Sequence, residues 1–154
     1  MIKLNVISSH IIWKKYIKNP KKFIDRQTRL INKKDNIYKK KILSCTLLLS
    51  GTKEIRQLNK KFRKKNKSTD ILSFPFYEKK NLKKIISKEK RIYLGDIIIN
   101  LNKINDKKDK KKFKDQLNKL WIHGFFHLLG HNHKLDKEYF KMQKLENKFF
   151  KFLK

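Results

Sequence analysis

The chain has 154 residues, with 43 Lys+Arg against 13 Asp+Glu and a formal net charge of +30, a length that suits one domain with a real core. Its single cysteine, Cys45, rules out an internal disulfide framework and fits a reducing compartment. No apolar stretch approaches the roughly 18 residues of a membrane span and the first residues lack a signal-peptide core, so a soluble, cytoplasmic protein with no membrane role is expected.

Residues 2–7 alternate apolar and polar and predict a half-buried strand. A helix is expected over 20–34, with Phe23, Ile24, Thr28 and Ile31 on one face. The run 42–49 is apolar throughout, as in a strand covered on both sides, and holds Cys45 as a small buried hydrophobe. Ser50-Gly51-Thr52 supplies a turn and helix cap. Ile55, Leu58 and Phe62 then recur at helical spacing, which puts Arg56 and Arg63 together on a neighbouring face. Residues 71–76 predict a strand closed by Pro75 at an edge or end. The lysine-dominated stretch 78–91 reads as an exposed loop, and 92–100 as a strand with Gly95 at a bulge or close backbone approach. Residues 102–112 are charged and solvated. A helix from Phe113 to Leu129 has Phe113, Leu117, Leu120, Trp121 and Leu128 as its core stripe. A last helix over 136–153 buries Tyr139, Met142, Leu145, Phe149 and Phe152. This order gives an α/β fold, one small mixed sheet of about four strands packed with helices. Helical connections favour parallel pairing of the first strand with the second and of the second with the third; the third and fourth pair antiparallel.

Residues 121–133, Trp-Ile-His-Gly-Phe-Phe-His-Leu-Leu-Gly-His-Asn-His, carry the chemistry. His123 and His127 stand four apart, so a helix projects both from one face. Gly130 can take the left-handed conformation that ends the helix, and the chain can fold back to bring His133 to the same point. Three imidazoles with no fourth side chain form the ligand set of an open zinc site, here at the C-terminal end of a helix. The remaining position would hold water acidified to a pKa of roughly 7. Another divalent ion such as nickel also suits three imidazoles. A histidine at 131 directly follows the glycine and is expected to point away from the other three, so that His131 and Asn132 serve behind the ligands or at the surface. Metzincin proteases share this spacing but place glutamate after the first histidine as general base; Gly124 stands there instead, which makes a metalloprotease-like peptidase the minor alternative.

The positive field favours polyanions, nucleic acid first, although lysine is spread along the whole chain and part of the charge is compositional. With these segments in view the chain resembles the YbeY family of bacterial rRNA-maturation endoribonucleases. The likeness rests on Leu58-Asn59-Lys60-Lys61-Phe62-Arg63 running on to Ser68-Thr69-Asp70-Ile71-Leu72-Ser73-Phe74-Pro75, on Leu94-Gly95-Asp96-Ile97, and on His123 to His133. The resemblance implies a single domain over 1–154 acting as a zinc-dependent endoribonuclease on single-stranded RNA, in 16S rRNA 3′-end maturation and late ribosome quality control. It implies one zinc ion held by His123, His127 and His133, and Arg63 as the basic residue of the cleft, where a guanidinium can grip phosphate bidentately. Without the resemblance, Arg63 reads as a surface residue paired with a carboxylate. The implied partners are rRNA and the small ribosomal subunit, with a small-subunit ribosomal protein and an Era-type GTPase. A non-catalytic assembly factor braced by zinc is the other alternative. The chain departs from the family pattern in having His131 and Asn132 where tyrosine and aspartate are usual; an asparagine orients a ligand imidazole more weakly. Thr69, Asp70 and Ser73 match the pattern, but turn and cap duties account for Thr69 and Asp70.

Overall fold

The computed structural model describes residues 1–35, 38, 40–132 and 135–154. Its elements run β1 (Ile2–Ser8), α1 (Trp13–Tyr16), α2 (Pro20–Lys34), β2 (Ile42–Ser50), α3 (Thr52–Arg63), β3 (Ile71–Pro75), α4 (Lys79–Lys88), β4 (Arg91–Asn100), a 3-10 turn at Leu101–Lys103, α5 (Lys110–Leu128) and α6 (Asp136–Phe152). The strands form one sheet in the order β1-β2-β4-β3. β1 pairs with β2 and β2 with β4 in parallel, and β3 pairs antiparallel with β4. The expected α/β class and mixed four-stranded sheet are therefore observed.

One neighbour relationship differs from expectation. β3 does not lie beside β2, because β4 occupies that place. Composition explains the order: Ile97, Ile98 and Ile99 of β4 are buried on both faces, as an interior strand requires. β3 ends in Pro75, which has no N–H to give a second neighbour and belongs at an edge. β2 is covered less evenly than its apolar sequence suggests. Leu43, Cys45, Leu47 and Leu49 are fully buried on one face, whereas Ile42, Ser44, Thr46 and Leu48 are half-buried.

The two faces carry unequal cover. On one, α2 and α5 lie over Leu43, Leu47, Leu49, Ile97 and Ile99, with Trp13, Phe113, Leu117, Trp121, Phe125 and Phe149 completing the core. On the other, α3 alone brings Ile55 and Leu58 against Leu48, Leu72, Phe74 and Ile98. Each fully buried side chain of this size stabilises the fold by about 1.5–3 kcal/mol relative to exposure. Asn19 caps α2 by accepting from the Lys22 amide, and Asp109 caps α5 through Lys111 and Lys112. At α3 the cap residue is Gly51 of the expected Ser50-Gly51-Thr52 turn, and it makes no side-chain cap bond. Ser50 instead donates from Oγ to Glu54.

The stretch 78–91, read as a loop, contains α4. Leu82 is buried and Ile85 and Ile86 are half-buried, a narrow apolar stripe that docks a helix whose lysines remain in water. Two residues assigned to core stripes lie outside: Phe62 is 59% and Tyr139 45% exposed. Gly95 does make a close approach. At φ +131° it sits where β4 carries one residue more than β2, and an added Cβ would fall 2.1 Å from the Phe74 carbonyl oxygen. No helix among the described residues is long and apolar enough to cross a membrane.

Candidate functional site

His123 and His127 lie in the last turns of α5, one turn apart, as their spacing requires. α5 can deliver them to the sheet because residue 124 is glycine. A Cβ there would meet Ile97 Cγ2 at 2.8 Å, Ile71 Cδ1 at 2.9 Å and Ser73 Oγ at 3.1 Å. Gly124 thus lets α5 come close to β3 and β4, and the side chain of a metzincin glutamate would clash there. Gly130, at φ +79°, ends the helix as expected. Its amide donates to the His127 carbonyl, and the His131 amide to that of Phe126.

The two imidazoles meet through their Nε2 atoms, 2.9 Å apart, with the rings nearly perpendicular at 87°. Each Nδ1 faces an acceptor. His123 Nδ1 stands 2.8 Å from Glu146 Oε1 of α6, and His127 Nδ1 3.0 Å from the His131 carbonyl oxygen. An Nδ1 facing a carboxylate or carbonyl must carry the hydrogen, which leaves Nε2 of a neutral imidazole with its lone pair. Two lone pairs aimed at each other from this distance repel unless a cation lies between or beside them. A proton or a metal ion satisfies that demand, and a carboxylate behind one imidazole with a carbonyl behind another is the usual support of metal-ligating histidines. The donor pair therefore fits a divalent ion.

His133, the third expected ligand, lies outside the described residues, and among the described residues no group of three or more His, Cys, Asp or Glu side chains could hold an ion. His131 lines the same cleft as His123 and His127. Its ring packs edge-on against Phe126 with centroids 5.6 Å apart. Burial, then the ammonium groups of Lys141 and Lys79, holds the pKa of that imidazole below its ordinary value.

The pair opens into a cleft of about 640 Å³ that Arg63, Thr69, Asp70, Ser73, Lys79 and Asn132 also line. Arg63 is not paired with a carboxylate among the described residues. Its Nη2 donates to the Ser73 carbonyl at 3.1 Å, and its guanidinium sits 5.9 Å from the Phe74 ring centroid. A neutral acceptor and an aromatic face orient this cation without cancelling its charge, which leaves it able to meet an anion. Asp70 performs turn duty: its Oδ1 accepts from Thr69 Oγ1 and the Ile71 amide. Arg56 does not share this cleft. It donates to Asn66 Oδ1 and lines a second cleft at the other end of α3.

Sequence reasoning missed Glu146 as the support of the His123 imidazole. Glu146 lies 23 positions from its partner, on a helix marked in the sequence by its aromatic stripe, and no short-range spacing marks such a contact.

The family model described as Endoribonuclease YbeY matches residues 9–154. The chain belongs to the Endoribonuclease YbeY family. A relative named Endoribonuclease YbeY from Pelagibacter ubique is 45% identical over 156 aligned residues, covering 100% of this chain and 97% of that protein. Another of the same name, from Thermodesulfovibrio yellowstonii, is 38% identical and covers 73% of this chain and 68% of its own. Among solved structures, that of TM1509 from Thermotoga maritima superposes with a TM-score of 0.58 at 22% identity, covering 99% of this chain and 89% of that one. This likeness bears on the fold alone.

Proposed function

We propose that this protein is a metal-dependent endoribonuclease that cleaves single-stranded rRNA, in 16S 3′-end maturation and late-stage ribosome quality control. The observation that carries the reading is the convergence of His123 and His127 Nε2 atoms with both Nδ1 atoms turned to acceptors, in a cleft that Arg63 also lines. Membership of a family named for endoribonuclease activity supports it.

His123 and His127, with His133 as the third ligand, would hold one zinc or other divalent ion. When bound, such an ion supplies Lewis acidity toward a phosphoryl group and makes water acidic enough to ionise near neutral pH. Glu146 fixes the His123 tautomer and raises the basicity of its Nε2, and the His131 carbonyl does the same for His127. Arg63, preset by the Ser73 carbonyl, holds the scissile phosphate and offsets charge that grows on its oxygens. The lysine-rich surface holds the RNA backbone. Partners in this reading are rRNA and the small ribosomal subunit in the cytoplasm, with a small-subunit ribosomal protein and an Era-type GTPase following from the family likeness.

The deciding experiment compares wild type, chelator-stripped protein and His127→Ala on a 16S rRNA precursor, with circular dichroism on each. Cleavage by wild type that both treatments abolish, with the fold retained, supports the reading. Undiminished cleavage by stripped protein refutes a metal-driven reaction. Loss of the fold on stripping would favour the non-catalytic assembly factor.

A further inference from the structure

We infer that α3 carries a ladder of four cations, Lys53, Arg56, Lys60 and Arg63, that tracks the phosphate backbone of single-stranded RNA from the histidine cleft to a second cleft at the far end of the helix. The inference rests on the endoribonuclease reading and extends it to how the substrate is held beyond the cleavage point.

The spacing of these residues, with steps of three, four and three, keeps them within an arc of about 80° on the helix and spreads them over about 15 Å. All four are exposed, on the flank beside Ile55 and Asn59, the buried residues of the helix. Arg63 ends the row in the histidine cleft. Lys53, Arg56 and Lys60 line the second cleft, of about 660 Å³, at the C-terminal ends of β2 and β4, where His10 and Ile12 add a planar and an apolar wall. Such a groove offers bases a surface while the cations meet the phosphates.

The charges are uncompensated. Among the described residues none of the four makes an ion pair. The two guanidiniums are oriented by neutral acceptors, Arg56 by Asn66 Oδ1 at 2.9 Å and Arg63 by the Ser73 carbonyl at 3.1 Å. The only acid of α3, Glu54, accepts instead from the Ser9 and Ser50 hydroxyls. An ordered row of cations between two grooves differs from the lysine scattered over the rest of the surface, and a polyanion with regularly repeated charge is the ligand it matches.

The test measures binding of a fluorescein-labelled, 2′-O-methyl single-stranded oligoribonucleotide of about 12 nucleotides by anisotropy across a salt series. Full-length wild type is compared with the K53Q/R56Q/K60Q triple variant and a charge-matched control, K21Q/K144Q/K151Q, altered at exposed positions of α2 and α6. The ladder variant should bind at least about tenfold more weakly than the control, and its log Kd against log salt slope should be shallower by about 2. Equal losses in the ladder variant and the control overturn the ladder. So does a poly-glutamate peptide that wild type binds as tightly as the RNA, since that marks a general anion face. Cleavage of unmodified RNA by the same preparations separates the two ideas. Binding differences without wild-type cleavage leave the ladder standing and sink the nuclease reading; wild-type cleavage without binding differences does the reverse.

Discussion

Glu146 of α6 sets a carboxylate oxygen 2.8 Å from Nδ1 of His123 on α5, and so ties the orientation of a metal-competent imidazole to the packing of two helices. Because the partner is a carboxylate, the tie does more than hold the ring: it raises the electron density that Nε2 can offer an ion. Glu146→Gln should therefore keep the fold but lower metal affinity by about 10- to 100-fold, read by competition against a chromophoric chelator. An unchanged affinity would remove Glu146 from the metal's support.

Gly124 tests the packing that delivers the histidines. Its added Cβ would press on Ile97 and Ile71 from under 3 Å. Gly124→Ala should cost about 1–3 kcal/mol and lower the Tm by about 2–4 °C for each kcal/mol lost. Gly124→Glu, which would supply the carboxylate of a metzincin, should yield little folded protein rather than a peptidase. Differential scanning calorimetry and soluble yield decide both.

At Gly95 the clash is with backbone. A Cβ 2.1 Å from the Phe74 carbonyl, at φ +131°, cannot be relieved by turning a side chain. Gly95→Ala should thus be more damaging than Gly124→Ala, with a loss above about 3 kcal/mol and fast amide exchange along β3. Exchange no faster than in wild type would show that the sheet absorbs the strain.

Burial, with a smaller contribution from Asp96, pushes the Cys45 thiol up to about 12. The folded protein should not react with a thiol-specific reagent at pH 8, and denaturant should release one equivalent. The pH dependence has a definite sign. The native state holds this proton more tightly than the unfolded chain, so the stability linked to it is present below pH 9 and is lost as pH rises toward 12. Cys45→Ser should flatten that alkaline loss, measured as denaturation midpoints between pH 8 and 11.

Much of the fold is legible in residue order. The four strands, the helices over 20–34 and 136–153, and the 113–129 helix appear within a few residues of expectation, because apolar period and turn residues agree there. α4 was hidden because its stripe amounts to Leu82, Ile85 and Ile86 among lysines, and only the groove that receives them makes the segment a helix. The interior place of β4 was hidden for another reason. Local connections suggest neighbours, whereas strand order depends on which strand can be buried on both faces. At the site, His123, His127 and the Gly130 turn follow from spacing. Glu146, and the division of Arg56 and Arg63 between two clefts, depend on contacts across the fold that no short pattern encodes.

The outer rim of β3 has a consequence for what this protein refuses. By the alternation of its pairing with β4, residues 71, 73 and 75 turn their main-chain groups away from the sheet. The Ile71 amide is taken by Asp70, the Ser73 oxygen by Arg63, and Pro75 has no hydrogen to give. An extended polypeptide arriving at this border would find too few open rungs to zip onto. The border that flanks the histidines is thereby a poorer template for an added strand than an edge with all its main-chain groups open, while a ligand gripped by its charge needs none of them.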